Sequence, residues 1–111
     1  MKEEATQELT RSASLLAEFV AIQDGAVVSR TLVNRPTGTV TLFAFDRGQG
    51  LSEHTAPFDA LVYALLGSAE ITISGKSQVI GKEEALILTA GEPHALRAME
   101  PFKMLLVMIR S

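Results

Sequence analysis

The chain has no cysteine and no tryptophan, one tyrosine, and only two histidines among its 111 residues. Without cysteine it can form no disulfide, no thiolate metal site and no cysteine nucleophile, a usage that suits a reducing compartment. Neither sign of charge dominates, since ten lysines and arginines stand against thirteen aspartates and glutamates. No basic cluster interleaved with aromatics occurs, so nucleic acid is not an expected partner. The longest apolar runs, such as Met104-Leu-Leu-Val-Met-Ile109, fall far short of the about 20 residues a membrane helix needs. The opening Met1-Lys-Glu-Glu-Ala-Thr-Gln-Glu8 is charged and has no apolar centre of the kind a secretory signal carries. These absences lead us to expect a soluble, cytoplasmic domain that meets neither nucleic acid nor membrane.

What is present is enough apolar material, 47% of the residues, to fill one core. Residues 1–12 are polar and expected to be flexible. Ser14-Leu-Leu-Ala-Glu-Phe-Val20 predicts a short helix, capped by Ser12 or Ser14, with Leu15, Leu16 and Phe19 on one side. Asp24-Gly25 is a turn signal, and the β-branched run from Ala26 to Val33 reads as a strand. Residues 13–38 thus hold a helix and a strand that could serve in pairing with a second copy, and 39–111 form the core of the domain.

Along that core the chain marks a strand about every ten residues. Thr39–Phe45, Ala60–Leu66, Glu70–Ser74, Ser77–Ile80, Ala85–Leu88, His94–Ala98 and Phe102–Ile109 are separated by turns rich in glycine or charge. Glu70-Ile-Thr-Ile-Ser74 alternates with period two, and Gly75-Lys76 reads as a hairpin turn. Many short strands without helices between them predict an all-β, antiparallel double-sheet barrel and exclude a doubly wound α/β fold.

The two histidines sit in glycine frames. Between Gly48 and Gly67 the chain reads Gly48-Gln-Gly-Leu-Ser-Glu-His54-Thr-Ala56-Pro-Phe-Asp-Ala60-Leu-Val-Tyr-Ala-Leu-Leu-Gly67, and His94 ends Gly91-Glu-Pro-His94. The first stretch resembles the first motif of the cupins, small β-barrels in which a glycine, an H-x-H pair, a glutamate and a closing glycine recur at set spacing. Gly48, His54 and Gly67 match, whereas Ala56 stands at the second histidine position and Ala60 at the glutamate position. The second stretch resembles the G-x-x-H part of the family's second motif. There Thr89 stands at the proline position, Glu83 at the first glycine position and Ala98 at the final asparagine position. The resemblance covers roughly residues 39–109.

In the family, H-x-H places two imidazoles on one inward strand face, and a glutamate and a further histidine complete the set around Fe, Mn, Ni or Zn. Carried onto this chain, the resemblance leaves His54 and His94 as metal-ligand candidates, a pair that implies a weak divalent site or none; Glu53 and Asp59 have the wrong parity to face inward, although a bulge could turn Asp59 in. It also implies a pocket at the barrel mouth, and we place His54, Ala56, Ala60, Tyr63, Leu88, His94, Met104 and Met108 in it. Phe43 and Phe45 could line it or belong to the core. No acid lies where it would complete a triad with Ser52 or Thr55, so nucleophilic hydrolysis is not expected, and no catalytic residue is assigned. The expected role is binding of a small-molecule ligand. A metal-dependent enzyme of the dioxygenase, isomerase or decarboxylase type using His54 and His94, and a structural or partner-binding barrel, are the alternatives. A homodimer is expected, because an open barrel leaves an edge strand to cover.

Overall fold

The computed structural model describes residues 9–10 and 12–110. The expectation of a flexible start at residues 1–12 therefore lies mainly outside them. Among the described residues, one 3-10 turn, Leu16–Phe19, precedes nine strands: β1 (Val27–Arg35), β2 (Gly38–Phe45), β3 (Gly50–His54), β4 (Asp59–Leu66), β5 (Ser68–Ile73), β6 (Lys76–Gly81), β7 (Ala85–Leu88), β8 (His94–Ala98) and β9 (Phe102–Ile109). They form two antiparallel sheets, in the orders β1-β2-β9-β4-β7 and β3-β8-β5-β6. This is the expected all-β double-sheet architecture, with the two sheets facing each other and remaining separate rather than closing into one continuous barrel. No helix among the described residues is long and apolar enough to cross a membrane.

Most strands fall where the alternation placed them. The segment from Asn34 to Gly38, expected as a break, is a tight hairpin, with β1 and β2 paired from Val27↔Phe45 to Arg35↔Gly38. The next hairpin turns at Ser74-Gly75, one residue before the expected position. Both residues lie in the left-handed region, at φ 49° and 83°. That pair of positive angles matches the right-handed twist of the strands it joins. Strand β3 was not signalled by composition, because Leu51 is its only large apolar residue.

The expected helix is the main departure. A single 3-10 turn remains of it, preceded by Leu15, which has no side-chain cap to offer, and followed by Val20 in extended geometry. Leu15 points to solvent instead of joining Leu16 and Phe19, and Val20 is the buried residue. Four residues cannot support a helix by local propensity. What holds this segment is packing, together with two side chains from the sheet beneath it. Lys103 Nζ donates to the Ala17 carbonyl at 2.7 Å, and an Arg30 nitrogen donates to the Phe19 carbonyl at 2.9 Å.

Two apolar layers result. The main core lies between the sheets and contains Phe45, Val62, Ile71, Phe102 and Met104. Phe45 and Phe102 are fully buried, and each such side chain contributes about 1.5–3 kcal/mol. Phe43 and Phe45 stack with centroids 5.8 Å apart as part of this packing, not as pocket walls. The second layer lies on the outside of the five-stranded sheet, where Leu16, Phe19 and Val20 cover Leu42, Ala44 and Leu105.

Two turn positions bear on the motif frames. Gly67 sits at φ 74°, and a Cβ there would collide with the Pro101 carbonyl, so only glycine closes the first frame. Glu83, at the first glycine position of the second frame, keeps the left-handed geometry at φ 70° despite its side chain. A side chain in that left-handed geometry costs strain that a glycine would not.

Candidate functional site

Antiparallel pairing of β3 with β8 sets His54 directly across from His94. One histidine ends its strand and the other begins its own, so both rings stand at the open end of the sandwich. Their centroids are 4.4 Å apart with the planes at 70°. Each ring is oriented in the same way. His54 Nδ1 lies 2.8 Å from the Ser52 carbonyl, and His94 Nδ1 lies 3.0 Å from the Glu92 carbonyl. A carbonyl oxygen can only accept, so in both rings Nδ1 carries the proton. In the neutral form Nε2 then holds the lone pair, at the opposite edge of the ring, free for a ligand.

Between these rings and the sheet interior lies a cavity of about 70 Å³. A single water needs about 10–15 Å³ on this measure, so there is room for a few small groups. The five-stranded sheet contributes a continuous inner row, Met108–Ala60–Leu88, running across β9, β4 and β7. Met104, Val62 and Leu106 continue it, Ile71 and Leu96 close the facing side, and Leu51, Ala56 and Phe58 flank the mouth. The two imidazoles are the only polar side chains among the lining residues; no hydroxyl, amine or carboxylate joins them.

Seven of the eight residues expected in the pocket come together there: His54, Ala56, Ala60, Leu88, His94, Met104 and Met108. Tyr63 does not. Side chains alternate along β4, and Ala60, Val62 and Ala64 take the inner face, so Tyr63 faces outward, opposite Leu105 and Ala85. The same rule would have found several lining residues that were not anticipated. Val62 follows Ala60 by two, Leu96 follows His94 by two, and Leu106 lies midway between Met104 and Met108. Phe58, on the loop before β4, carried no such signal.

The donor set does not fit a resident metal. Catalytic and structural sites ordinarily supply three or four protein ligands. Among the described residues no group of three or more His, Cys, Asp or Glu side chains is gathered that could hold an ion. Asp59 does not turn inward; its Oδ1 accepts the Ala90 N–H at 2.9 Å on the exposed side. Ala56 joins the two frames through its backbone, its carbonyl accepting the Gly91 N–H at 2.8 Å. The frame is thus intact where backbone atoms build it and depleted where side chains would have bound metal.

The same architecture recurs among solved structures. A conserved protein of unknown function from Streptococcus pyogenes is 39% identical, over 91% of this chain and 89% of that one, with a TM-score of 0.87. A cupin superfamily protein from Desulfitobacterium hafniense is 27% identical over 91% of this chain and 93% of its own, also at 0.87. A cupin 2 conserved barrel domain protein from Leptotrichia buccalis is 40% identical over 84% of this chain but only 45% of its own length, at 0.81. No protein-family model and no curated protein matches the chain. With the double sheet, the Gly48–Gly67 frame and these likenesses in hand, the chain belongs to the cupin superfamily. Within it, this is a small single-domain member that carries alanine at positions 56 and 60 of the first motif.

Proposed function

We propose that this cupin binds a small, largely apolar molecule carrying one hydrogen-bond donor or acidic group. The observation that carries this reading is an apolar cavity whose only polar side chains are two imidazoles, both held by their Nδ1 atoms with Nε2 left over. Pockets that bind small molecules combine apolar walls with a few placed polar groups in this way. A neutral ligand hydroxyl would donate to an Nε2 lone pair; a carboxylate would be met by the same nitrogen once protonated. Ala56 and Ala60 supply volume where the family's ligand side chains would stand, which favours burying an apolar body over activating a substrate. Cupins host many unrelated activities, so the fold itself adds no preference.

The test is a titration of the protein with a panel of small aliphatic and aromatic carboxylic acids and phenols, read by the imidazole nitrogen resonances. A binder should move the Nε2 signals of both histidines. His54→Ala should weaken it about tenfold, the worth of one good hydrogen bond. Ala60→Phe, which fills the floor of the cavity, should abolish binding while the protein stays folded. Binding unchanged in Ala60→Phe would place the ligand elsewhere and sink the reading.

A further inference from the structure

We infer that Arg110 is an anion subsite at the mouth of the cavity, and that the molecule bound there is a hydroxy carboxylic acid with an apolar body. The inference rests on the pocket reading and extends it outward, to a residue beyond the cavity lining.

Strand period sets the position. Met104, Leu106 and Met108 of β9 line the cavity, and Arg110 is the next residue in that alternation. Its N–H donates to the Thr37 carbonyl at 2.8 Å, so the ladder between β2 and β9 carries on to it. On the other side of β9, Asp59 pairs with Ile109. One step further out Phe58 and Arg110 come together, and the guanidinium lies over the Phe58 ring, 5.7 Å from its centroid. Phe58 is itself part of the cavity wall. Arg110 thus stands about 7 Å along the strand beyond Met108, against a ring that flanks the mouth.

Its donors are largely uncommitted. A guanidinium carries a permanent charge and five N–H donors in a fork that matches a carboxylate. Nη1 donates to the Arg35 carbonyl at 3.2 Å, which with the Thr37 bond holds the residue against the hairpin of β1 and β2. The ring contact engages the charge and leaves the other N–H groups free. No carboxylate among the described residues pairs with Arg110. Asp59, one place away across the strands, gives its Oδ1 to the Ala90 N–H instead. Glu70 pairs with Arg97, on the other sheet.

The imidazoles call for the opposite chemistry. His54 and His94 belong to the four-stranded sheet, and their Nδ1 hydrogens are spent on the Ser52 and Glu92 carbonyls. In the neutral form each ring offers a ligand only the Nε2 lone pair, which takes a donor and repels an anion. The mouth therefore has acceptors on one sheet and a cation on the other. A hydroxyl suits the first, a carboxylate suits the second, and the apolar body goes to the walls between Met108, Ala60 and Leu88.

The test uses ω-hydroxyalkanoates of increasing chain length, each beside its primary amide, titrated into the full chain. Binding is read by the imidazole nitrogen resonances and by the Nε–H resonance of Arg110. The chain length that fits should bind about tenfold more tightly as the acid than as the amide, and should move all three signals. Added salt should weaken the acid and spare the amide. Arg110→Gln should abolish the preference for the acid without changing affinity for the amide, a split that a merely structural role would not produce. Arg110→Lys should keep part of the preference. Arg97→Gln, on the outer face of the other sheet, should keep all of it. Acid and amide binding alike in the wild type, a preference that survives Arg110→Gln, or one lost in Arg97→Gln would overturn the subsite and leave the pocket reading in place. Binding that survives Ala60→Phe, or no binding by any of these probes, would overturn both.

Discussion

Outside the five-stranded sheet, neighbours across the strands read Ile87, Leu61, Val107, Val40, Val33; outside the four-stranded sheet they read Val79, Glu70, Arg97. Glu70 and Arg97 approach to 3.8 Å in solvent, and Thr72 and Ser77 share a hydroxyl hydrogen bond at 2.8 Å in the next row. Both sheets give their inner faces to one core, yet only the second shows water a polar outside. The difference is written into the strands. β5 alternates, Glu70-Ile-Thr-Ile, as a strand with one wet face does. β4 and β9 are apolar almost throughout, as strands covered on both sides are. A sheet built from such strands needs cover, and the N-terminal segment supplies it for one end.

The largest effect should come from removing a side chain beneath that cover. Leu42 is fully buried there. Leu42→Ala should cost about 2–5 kcal/mol in denaturant unfolding, since it leaves a cavity. Val79→Ala, on the wet face of the other sheet, should change stability by less than about 0.5 kcal/mol. Equal costs would show that the two outer faces do not differ as described.

A smaller effect should follow from loosening the cover itself. Lys103→Met keeps the apolar stem but removes the 2.7 Å hydrogen bond to the Ala17 carbonyl. A loss of about 1 kcal/mol is expected, with faster amide exchange around residues 16–20 and none in β5 or β8. Uniform exchange would mean that Lys103 does not pin the segment.

The smallest effect concerns acid. Asp46 accepts the Gly25 N–H at 2.7 Å and the Arg47 N–H at 2.9 Å, tying down the chain just before β1, the edge of the apolar sheet. The Gly25 bond foremost, then the Arg47 bond, holds its carboxyl below the usual range. A carboxylate whose folded-state value is lowered stabilises fully above its unfolded value, about 3.9, and loses that contribution as pH falls through the folded one. Asp46→Asn should therefore flatten the acid end of the stability profile and leave the difference between wild type and variant constant above about pH 5. An acid limb of the same steepness in both proteins would show that Asp46 plays no part.

Much of the fold was legible because it depends on local period. Alternation placed eight of the nine strands to within a few residues, and Gly67 and Gly75 marked turns that need left-handed backbone. The short helix misled because its apolar spacing was real while its stability was not. Leu16 and Phe19 are apolar to meet a sheet, not to sustain a helix. Tyr63 was assigned to the pocket on chemistry alone, although its odd position against Ala60 and Val62 already placed it outside.

By itself the sequence determined the strand pattern, the two glycine frames, and the alanines at positions 56 and 60 where the cupin motif has a histidine and a glutamate, since each is a matter of residue identity and short-range spacing. Only the tertiary structure decided that His54 and His94 stand ring to ring, that both turn Nε2 away from their own strands, and that apolar residues of five strands join in one outward row. Those features depend on register between strands distant in the chain, and a shift of one residue would turn every side chain to the opposite face.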